Sequence, residues 1–378
     1  MKRKIVFITT IHRNAERMLP AILEMSKTHD IIIICTGQSS ENTVYKANRF
    51  TQLLDKNKDK ISKVLNSPPI TSMGGLFASK FRKACIDMYK KDIPHKLTDA
   101  VIIDDSRDKV GLTELYRLCR KHNVPVFANC HGNEDKKRWG IVLIAGHEKF
   151  FDKLFVFGPK EKKNLTELSK KDFFLLGGIP DNDAISNITL TGECILVIVN
   201  FVQQAHKRDG WHLYDKETLE KMKLKELQAE INLPVTFKLK HRFGHSVKKD
   251  ITNLEKHVPK GLVYNILVES ENDVELIKPA ACVLSYGSTM CFKPIQAGIP
   301  TIIFEKLGDI GNFDDYYGKV KLGDDYFDMI RNPEKYESQR VKFLENALTG
   351  GVKFDSIKCY SKNVYGVINE WKQKSTDQ

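Results

Sequence analysis

Ser285-Tyr286-Gly287-Ser288-Thr289 sets hydroxyls beside a glycine, between the short apolar run Ala280 to Leu284 and a helical stretch, Met290 to Ala297. Backbone N–H groups at such a helix start, together with its dipole, favour an anion. Ser288 and Thr289 add hydroxyl donors, so the chemistry suggested is the holding of a diphosphate; the same residues would also serve as an ordinary helix cap. Lys238-Leu239-Lys240-His241-Arg242 brings cations to the end of another apolar run. Fixed positive charge is what a departing phosphate needs as its negative charge grows, although an exposed basic strand end has the same look. A proton acceptor for a hydroxyl group needs a pKa near the working pH, which histidine supplies. His131 before Gly132 and His12 beside Arg13 each follow a predicted strand, and Asp104 and Asp105 are competing bases after a third. The segment Gly308 to Tyr317, rich in Gly, Asp and Tyr, reads as a loop that closes over a ligand or simply decorates the surface.

These residues need a scaffold, and the chain predicts one. Strands are expected at Ile5 to Thr9, Ile31 to Cys35, Lys60 to Val64, Ala100 to Ile103, Val124 to Ala128, Lys153 to Phe157 and Asp172 to Leu176. Helical stretches fall between them, among them Asn14 to Lys27 and Leu112 to His122. This is the rhythm of a parallel sheet, whose ligands lie beyond the carboxyl ends of its strands. After a polar stretch the alternation restarts with Cys194 to Asn200, a helix Lys216 to Glu230, and strands Val235 to Lys240, Leu262 to Val268, Ala280 to Leu284 and Thr301 to Phe304. Gly298 stops the helix before the last of these, and Pro300 leads into it. Helices follow at Asp324 to Arg331, Tyr336 to Leu348 and Ser361 to Lys374. The expected organisation is a first domain over 1–180, a linker over 181–191, a second domain over 192–355, and a final helical segment, 356–378, packing back on the first domain.

With 378 residues, two cores are the natural arrangement. A composition of 41% hydrophobic and 29% charged residues suits globular domains. No apolar run reaches membrane-spanning length, and the first strand begins at once after Met1-Lys2-Arg3-Lys4, leaving no signal-peptide core. Eight cysteines lack the CxxC spacing of zinc or redox sites, so reduced core cysteines, a cytoplasmic location and no metal site are expected. The net charge of +12 fits a polyanionic partner, a basic nucleotide cleft, or a lysine-rich surface.

Three local patterns give the chain a family look. One is Gly178, Pro180 and Asp183, a Gly-x-Pro-x-x-Asp before the linker; another is the basic strand end at 238–242; the third is Ser288, Thr289, Phe292 and Pro300. In this order they resemble the GT-B glycosyltransferase superfamily, in the branch of the CDP-glycerol glycerophosphotransferases and the capsule and wall-polymer transferases, and more distantly the UDP-GlcNAc 2-epimerases. The resemblance covers most of 150–305 and only the general alternation before it. It implies two tandem Rossmann-like α/β domains facing each other across a cleft, acting without cofactor or metal. The activity it implies is transfer of a sugar or glycerophosphate from a nucleotide-diphosphate donor, a nucleotide sugar or a CDP-alditol, to an acceptor hydroxyl.

In that reading Gly178, Lys240, His241, Arg242, Gly287, Ser288, Thr289 and Lys293 hold the donor, and His131, Asp104, Asp105 or His12 serves the acceptor. The acceptor itself is left open between a wall or capsule polymer and DNA with a hydroxylated base. Many relatives have an acidic residue reading the donor ribose where spacing puts Lys293. Either the ribose is held differently, or Lys293 meets phosphate, or the site has decayed. A nucleotide-sugar epimerase of the same fold is the alternative enzyme, and Lys293 counts against it. A non-catalytic nucleic-acid-binding protein is the third reading; it lacks interleaved aromatic and basic residues.

Overall fold

The structure, a computed structural model, describes residues 2–9, 12–36, 50, 52–67, 86–104, 112–130, 149–169, 172–199, 214–239, 247–268, 273–285, 289–304 and 317–376, with backbone alone at 12–14, 36, 66–67, 289 and 375–376. The chain divides into two compact units. Unit 1 is Met1–Asp183 with Glu345–Gln378, and unit 2 is Ala184–Leu344.

Unit 1 is built on seven parallel strands: β1 (Lys4–Thr9), β2 (Asp30–Thr36), β3 (Lys63–Ser67), β4 (Thr98–Ile103), β5 (Val126–Asn129), β6 (Lys153–Val156) and β7 (Phe174–Leu176), in the order β3-β2-β1-β4-β5-β6-β7. Strands covered on both faces read as unbroken apolar runs, and both β1 and β4 are buried at every position. Their alternate residues feed two cores. Val6, Ile8, Val101 and Ile103 face one side with α2 (Leu112–Lys121) and α3 (Pro159–Ser169). Ile5, Phe7, Ala100 and Ile102 face the other with α1 (His12–Glu24).

The polar segment after β7 becomes a 3-10 turn, Pro180–Asn187. Unit 2 follows with β8 (Cys194–Val199), α4 (Lys216–Lys221), α5 (Leu224–Ile231), β9 (Val235–Leu239), α6 (Val247–Glu255), β10 (Tyr264–Val268), α7 (Asp273–Ile277), β11 (Ala280–Ser285), α8 (Phe292–Gln296), β12 (Thr301–Phe304) and β13 (Lys319–Val320). These six strands are also all parallel, in the order β10-β9-β8-β11-β12-β13. Both sheets therefore share the doubly wound order in which the third, second, first, fourth and fifth strands lie side by side. The chain ends with α9 (Phe327–Arg331), α10 (Glu337–Ala347) and α11 (Ser356–Thr376).

α11 belongs to unit 1, where Tyr360, Val364, Val367 and Ile368 are buried in the same core as α1. The change of unit comes at Leu344/Glu345, before the expected 355. The chain beyond it is tied to β6: Thr349 donates its N–H and its hydroxyl to Phe157 O at 2.8 and 3.1 Å. On the other side the change falls at Asp183/Ala184, inside the expected linker.

Three elements differ from expectation. The helix over 216–230 is two helices, because Lys223 takes a left-handed backbone (φ 53°) and the freed Met222 carbonyl accepts the Tyr326 hydroxyl at 2.5 Å. The helix over 290–297 is a 3-10 turn, Thr289–Cys291, followed by only five α-helical residues. The last helix starts at Ser356, the first residue of the expected 356–378 segment but five residues before the stretch read as helix from Ser361, since Asp183 supplies its cap.

Seven cysteines lie among the described residues, none in a disulfide there, and all but Cys359 are buried. No helix among the described residues is long and apolar enough to cross a membrane.

Candidate functional site

In a doubly wound sheet the connections from the two central strands run in opposite directions, and a crevice opens between their carboxyl ends. In unit 1 those strands are β1 and β4, and their ends carry polar groups inside an apolar core. Thr9 closes β1 and donates its hydroxyl to Asp104 Oδ2 at 2.8 Å, while the Asp104 N–H reaches Ile8 O at 3.1 Å. Asp104 is fully buried, yet it lines a pocket together with Arg17 of α1, Asn129 of β5, Gly178 and Tyr360 of α11.

Asn129 donates from Nδ2 to Ile103 O at 2.8 Å and accepts from the Tyr360 hydroxyl at 2.9 Å. The Tyr360 ring stacks on Phe155 with centroids 4.0 Å apart. Burial pushes the Tyr360 phenol far above its ordinary pKa, against a smaller downward pull from Asn129, so it stays a neutral donor. A carboxylate, an amide, a phenol and a guanidinium at one set of strand ends can bind a polyhydroxylated or anionic group.

The pocket's rim explains the Gly-x-Pro-x-x-Asp pattern. Gly178 sits at φ +63°, and a Cβ there would lie 2.3 Å from Ser356 Oγ and 2.7 Å from its Cβ. Asp183 accepts the N–H groups of Ser356 and Ile357 at 3.2 and 2.8 Å, capping α11. Burial pushes the Asp183 carboxyl up to about 6, with those two N–H groups pulling the other way. Gly178, expected on the donor side, thus lies in unit 1 and seats the terminal helix.

In unit 2 the central strands are β8 and β11. β11 ends at Ser285, whose hydroxyl is buried and has no hydrogen-bond partner among the described residues. The 3-10 turn Thr289–Cys291 feeds α8, and the short length of α8 leaves less dipole than the expected two-turn helix would bring. Arg340 holds the far end of α8, donating to Ile295 O at 2.7 Å.

Lys293 is buried and its ammonium donates to Asp273 Oδ2 of α7 at 2.7 Å. The Lys293 ammonium thus has a carboxylate beside it within unit 2. Lys238 lies within β9, buried in the sheet rather than exposed at its end. Lys240, His241, Arg242, Gly287 and Ser288 lie outside the described residues, as do His131, Asp105 and the 308–316 part of the predicted loop. Thr289 and His12 are described by backbone alone, at the starts of the 3-10 turn and of α1.

No protein-family profile matches the chain. No curated protein sequence matches it either. Solved structures do match. A UDP-N-acetylglucosamine 2-epimerase superposes over 97% of this chain and 97% of its own, with a TM-score of 0.63 at 13% identity. The UDP-GlcNAc 2-epimerase from Neisseria meningitidis, bound to UDP-GlcNAc, gives 0.59 at 13% identity over 96% of this chain and 100% of its own. The wall teichoic acid polymerase TagF gives 0.53 at 12% identity over 97% and 90%.

The fold is GT-B. Within it, the sequence had pointed to Asp104 but not to Thr9, Asn129, Arg17 or Tyr360. Asn129 was within reach, since it directly follows the predicted strand 124–128 and strand ends are where such sheets hold ligands. Tyr360 carried no local signal, because it enters the pocket from a helix 231 positions further along the chain than Asn129.

Proposed function

We propose that this GT-B protein binds a nucleotide-diphosphate sugar and transfers its sugar, or a related glycerophosphate, to an acceptor hydroxyl. The observation that carries the reading is the fully buried Asp104, oriented by Thr9 at the strand switch of unit 1 and lining a pocket there. A carboxylate accepts hydrogen bonds at several positions, so sugar hydroxyls have the right chemistry to join the Thr9 hydroxyl on Asp104. Likeness over nearly the whole chain to a structure bound to UDP-GlcNAc and to a wall teichoic acid polymerase supports a nucleotide sugar.

The nucleotide diphosphate is assigned to the turn 287–289 of unit 2, with Lys240, His241 and Arg242 opposing the charge of the leaving group. The proton acceptor is assigned to His131, two residues after Asn129 in sequence, ahead of Asp104, Asp105 and His12. A phosphate-rich polymer as acceptor suits the net charge of +12.

A thermal-shift screen with UDP, CDP, GDP and their sugar and glycerol conjugates tests the reading, because a ligand that binds only the native state raises the melting temperature. At least one of these should stabilise the protein; no shift with any of them at millimolar concentration would exclude nucleotide handling. In a folded Ser288→Ala/Thr289→Val double variant, affinity for that nucleotide should drop at least about tenfold, since a hydrogen bond to a charged group is worth about 1.5–3 kcal/mol. An unchanged dissociation constant would move the diphosphate elsewhere.

A second reading, a nucleotide-sugar 2-epimerase, is favoured by the higher TM-scores of the epimerase structures. Product analysis separates the two. An epimerase converts UDP-GlcNAc with no second substrate, whereas a transferase releases UDP only when an acceptor hydroxyl is supplied.

A further inference from the structure

The ladder between β4 and β5 pairs Ile103 with Ala128, so Asp104 and Asn129 are the next residues on two adjacent strands. Both are buried, and both line the same pocket. Their hydrogen-bonding characters are opposite when Asp104 is ionised, and that of Asn129 is set by its partners. The Asn129 amide faces a backbone carbonyl, Ile103 O, at 2.8 Å, and a carbonyl can only accept. That end of the amide is therefore the NH2 group. At the other end Oδ1 accepts the Tyr360 hydroxyl.

An NH2 group has two N–H bonds, and only one is used by Ile103. The second has no partner among the described residues. Asp104, held by the Thr9 hydroxyl, contributes a carboxylate, which in its ionised form accepts only. A hydroxyl group meets both needs at neighbouring positions, donating to a carboxylate and accepting from an amide N–H.

We propose that Asp104 and Asn129 form a clamp for one hydroxyl of the sugar carried by a nucleotide sugar, with Tyr360 as a positioning residue that locks the amide donor-side in. This inference rests on the nucleotide-sugar reading and adds to it the part of unit 1 that recognises the sugar. Tyr360 acts through Asn129. Its ring is anchored on Phe155, so removing the hydroxyl alone leaves the packing of α11 in place. Without that hydroxyl, Oδ1 loses its donor and the amide is held at one end only.

The test is calorimetric titration of the full chain with two probes, UDP and UDP-GlcNAc, because the ratio of their affinities isolates what the sugar contributes. Wild-type protein should bind UDP-GlcNAc more tightly than UDP. Asn129→Ala should lower that preference about tenfold, and Tyr360→Phe about threefold, with UDP affinity changed less than twofold in each. One hydrogen bond of about 0.5–1.5 kcal/mol corresponds to such factors.

If Asn129→Ala does not fold, Asn129→Ser, which also removes the amide donor, takes its place. An unchanged preference in both variants would overturn the clamp. So would an equal loss of affinity for both probes, which is the mark of a purely structural role. A fall in Asn129→Ala with none in Tyr360→Phe would keep the clamp and remove Tyr360 from it. Wild-type protein that binds UDP without preferring UDP-GlcNAc would overturn the clamp and leave the nucleotide reading standing. Binding of neither probe would overturn both.

Discussion

Gly178→Ala is expected to lower the melting temperature of unit 1 by about 4–20 °C. Two costs add. The backbone at Gly178 is left-handed, φ +63°, which a side-chain-bearing residue adopts at about 1–2 kcal/mol. The new methyl group would also lie 2.3 Å from Ser356 Oγ and 2.7 Å from its Cβ. A hydroxyl can rotate away, but the Ser356 Cβ cannot, because Ser356 opens α11, is buried, and has its N–H bound to Asp183. Overpacking of this kind costs about 1–3 kcal/mol. The sum, about 2–5 kcal/mol, converts to the stated range at about 2–4 °C per kcal/mol for a body of this size. Calorimetry of Gly178→Ala beside Gly178→Ala/Ser356→Gly separates the terms: the second variant should recover the contact term and retain the backbone one. A single variant melting within 2 °C of wild type would show that neither constraint operates.

The Gly178 position also shows where sequence reasoning reached its limit. Alternating apolar runs and the restart at Cys194 were enough to predict two parallel sheets, since strand propensity and burial are written locally. The switch-point rule then brought attention to Asp104. The Gly-x-Pro-x-x-Asp motif was visible too, but its role was not. Its partner is the start of a helix more than 170 positions away, with Asp183 meeting Ser356 and Ile357. Chain topology alone brings those residues together.

Lys293 shows a related limit. Spacing put a cation near the diphosphate turn, and only the packing of α7 beside α8 reveals that Asp273 already neutralises it. The helix break at Lys223 was hidden because lysine is an ordinary helix former. The break is imposed from outside, where Tyr326 takes up the exposed carbonyl of Met222. The acid–amide pair at Asp104 and Asn129 lay between these cases. Both residues sit at legible strand ends, while the orientation that gives the pair its chemistry comes from Thr9 and Tyr360.

Asp99→Asn should remove about 1.5–3 kcal/mol of stability at neutral pH and progressively less below pH 4. The Asp99 carboxylate has no exposed surface, and three groups converge on it: Arg3 Nε at 2.5 Å, Lys372 Nζ of α11 at 2.6 Å and His29 Nε2 at 3.2 Å. Burial pushes its pKa up, but the hydrogen bonds from His29, Lys372 and Arg3 outweigh burial and hold it well below the usual carboxylate range. A carboxylate depressed in this way binds fewer protons folded than unfolded. It therefore adds stability above the unfolded value of about 3.9 and loses that advantage as pH falls toward the folded one. Hydrogen bonds to a charged group set the size. The partners Arg3 and Lys372 are each about half exposed, 46% and 51%, so water takes them back when the charge is gone and the loss stays below that of a sealed ion pair. Urea titrations of wild type and variant at pH 7, 5 and 3 measure this directly. The two curves should converge at acid pH, because protonated Asp99 then resembles asparagine. A gap that stays constant with pH would assign the effect to packing. Lys372→Met provides the link to α11: its cost in the wild type should shrink in the Asp99→Asn background, as residues sharing one ion cluster are not additive.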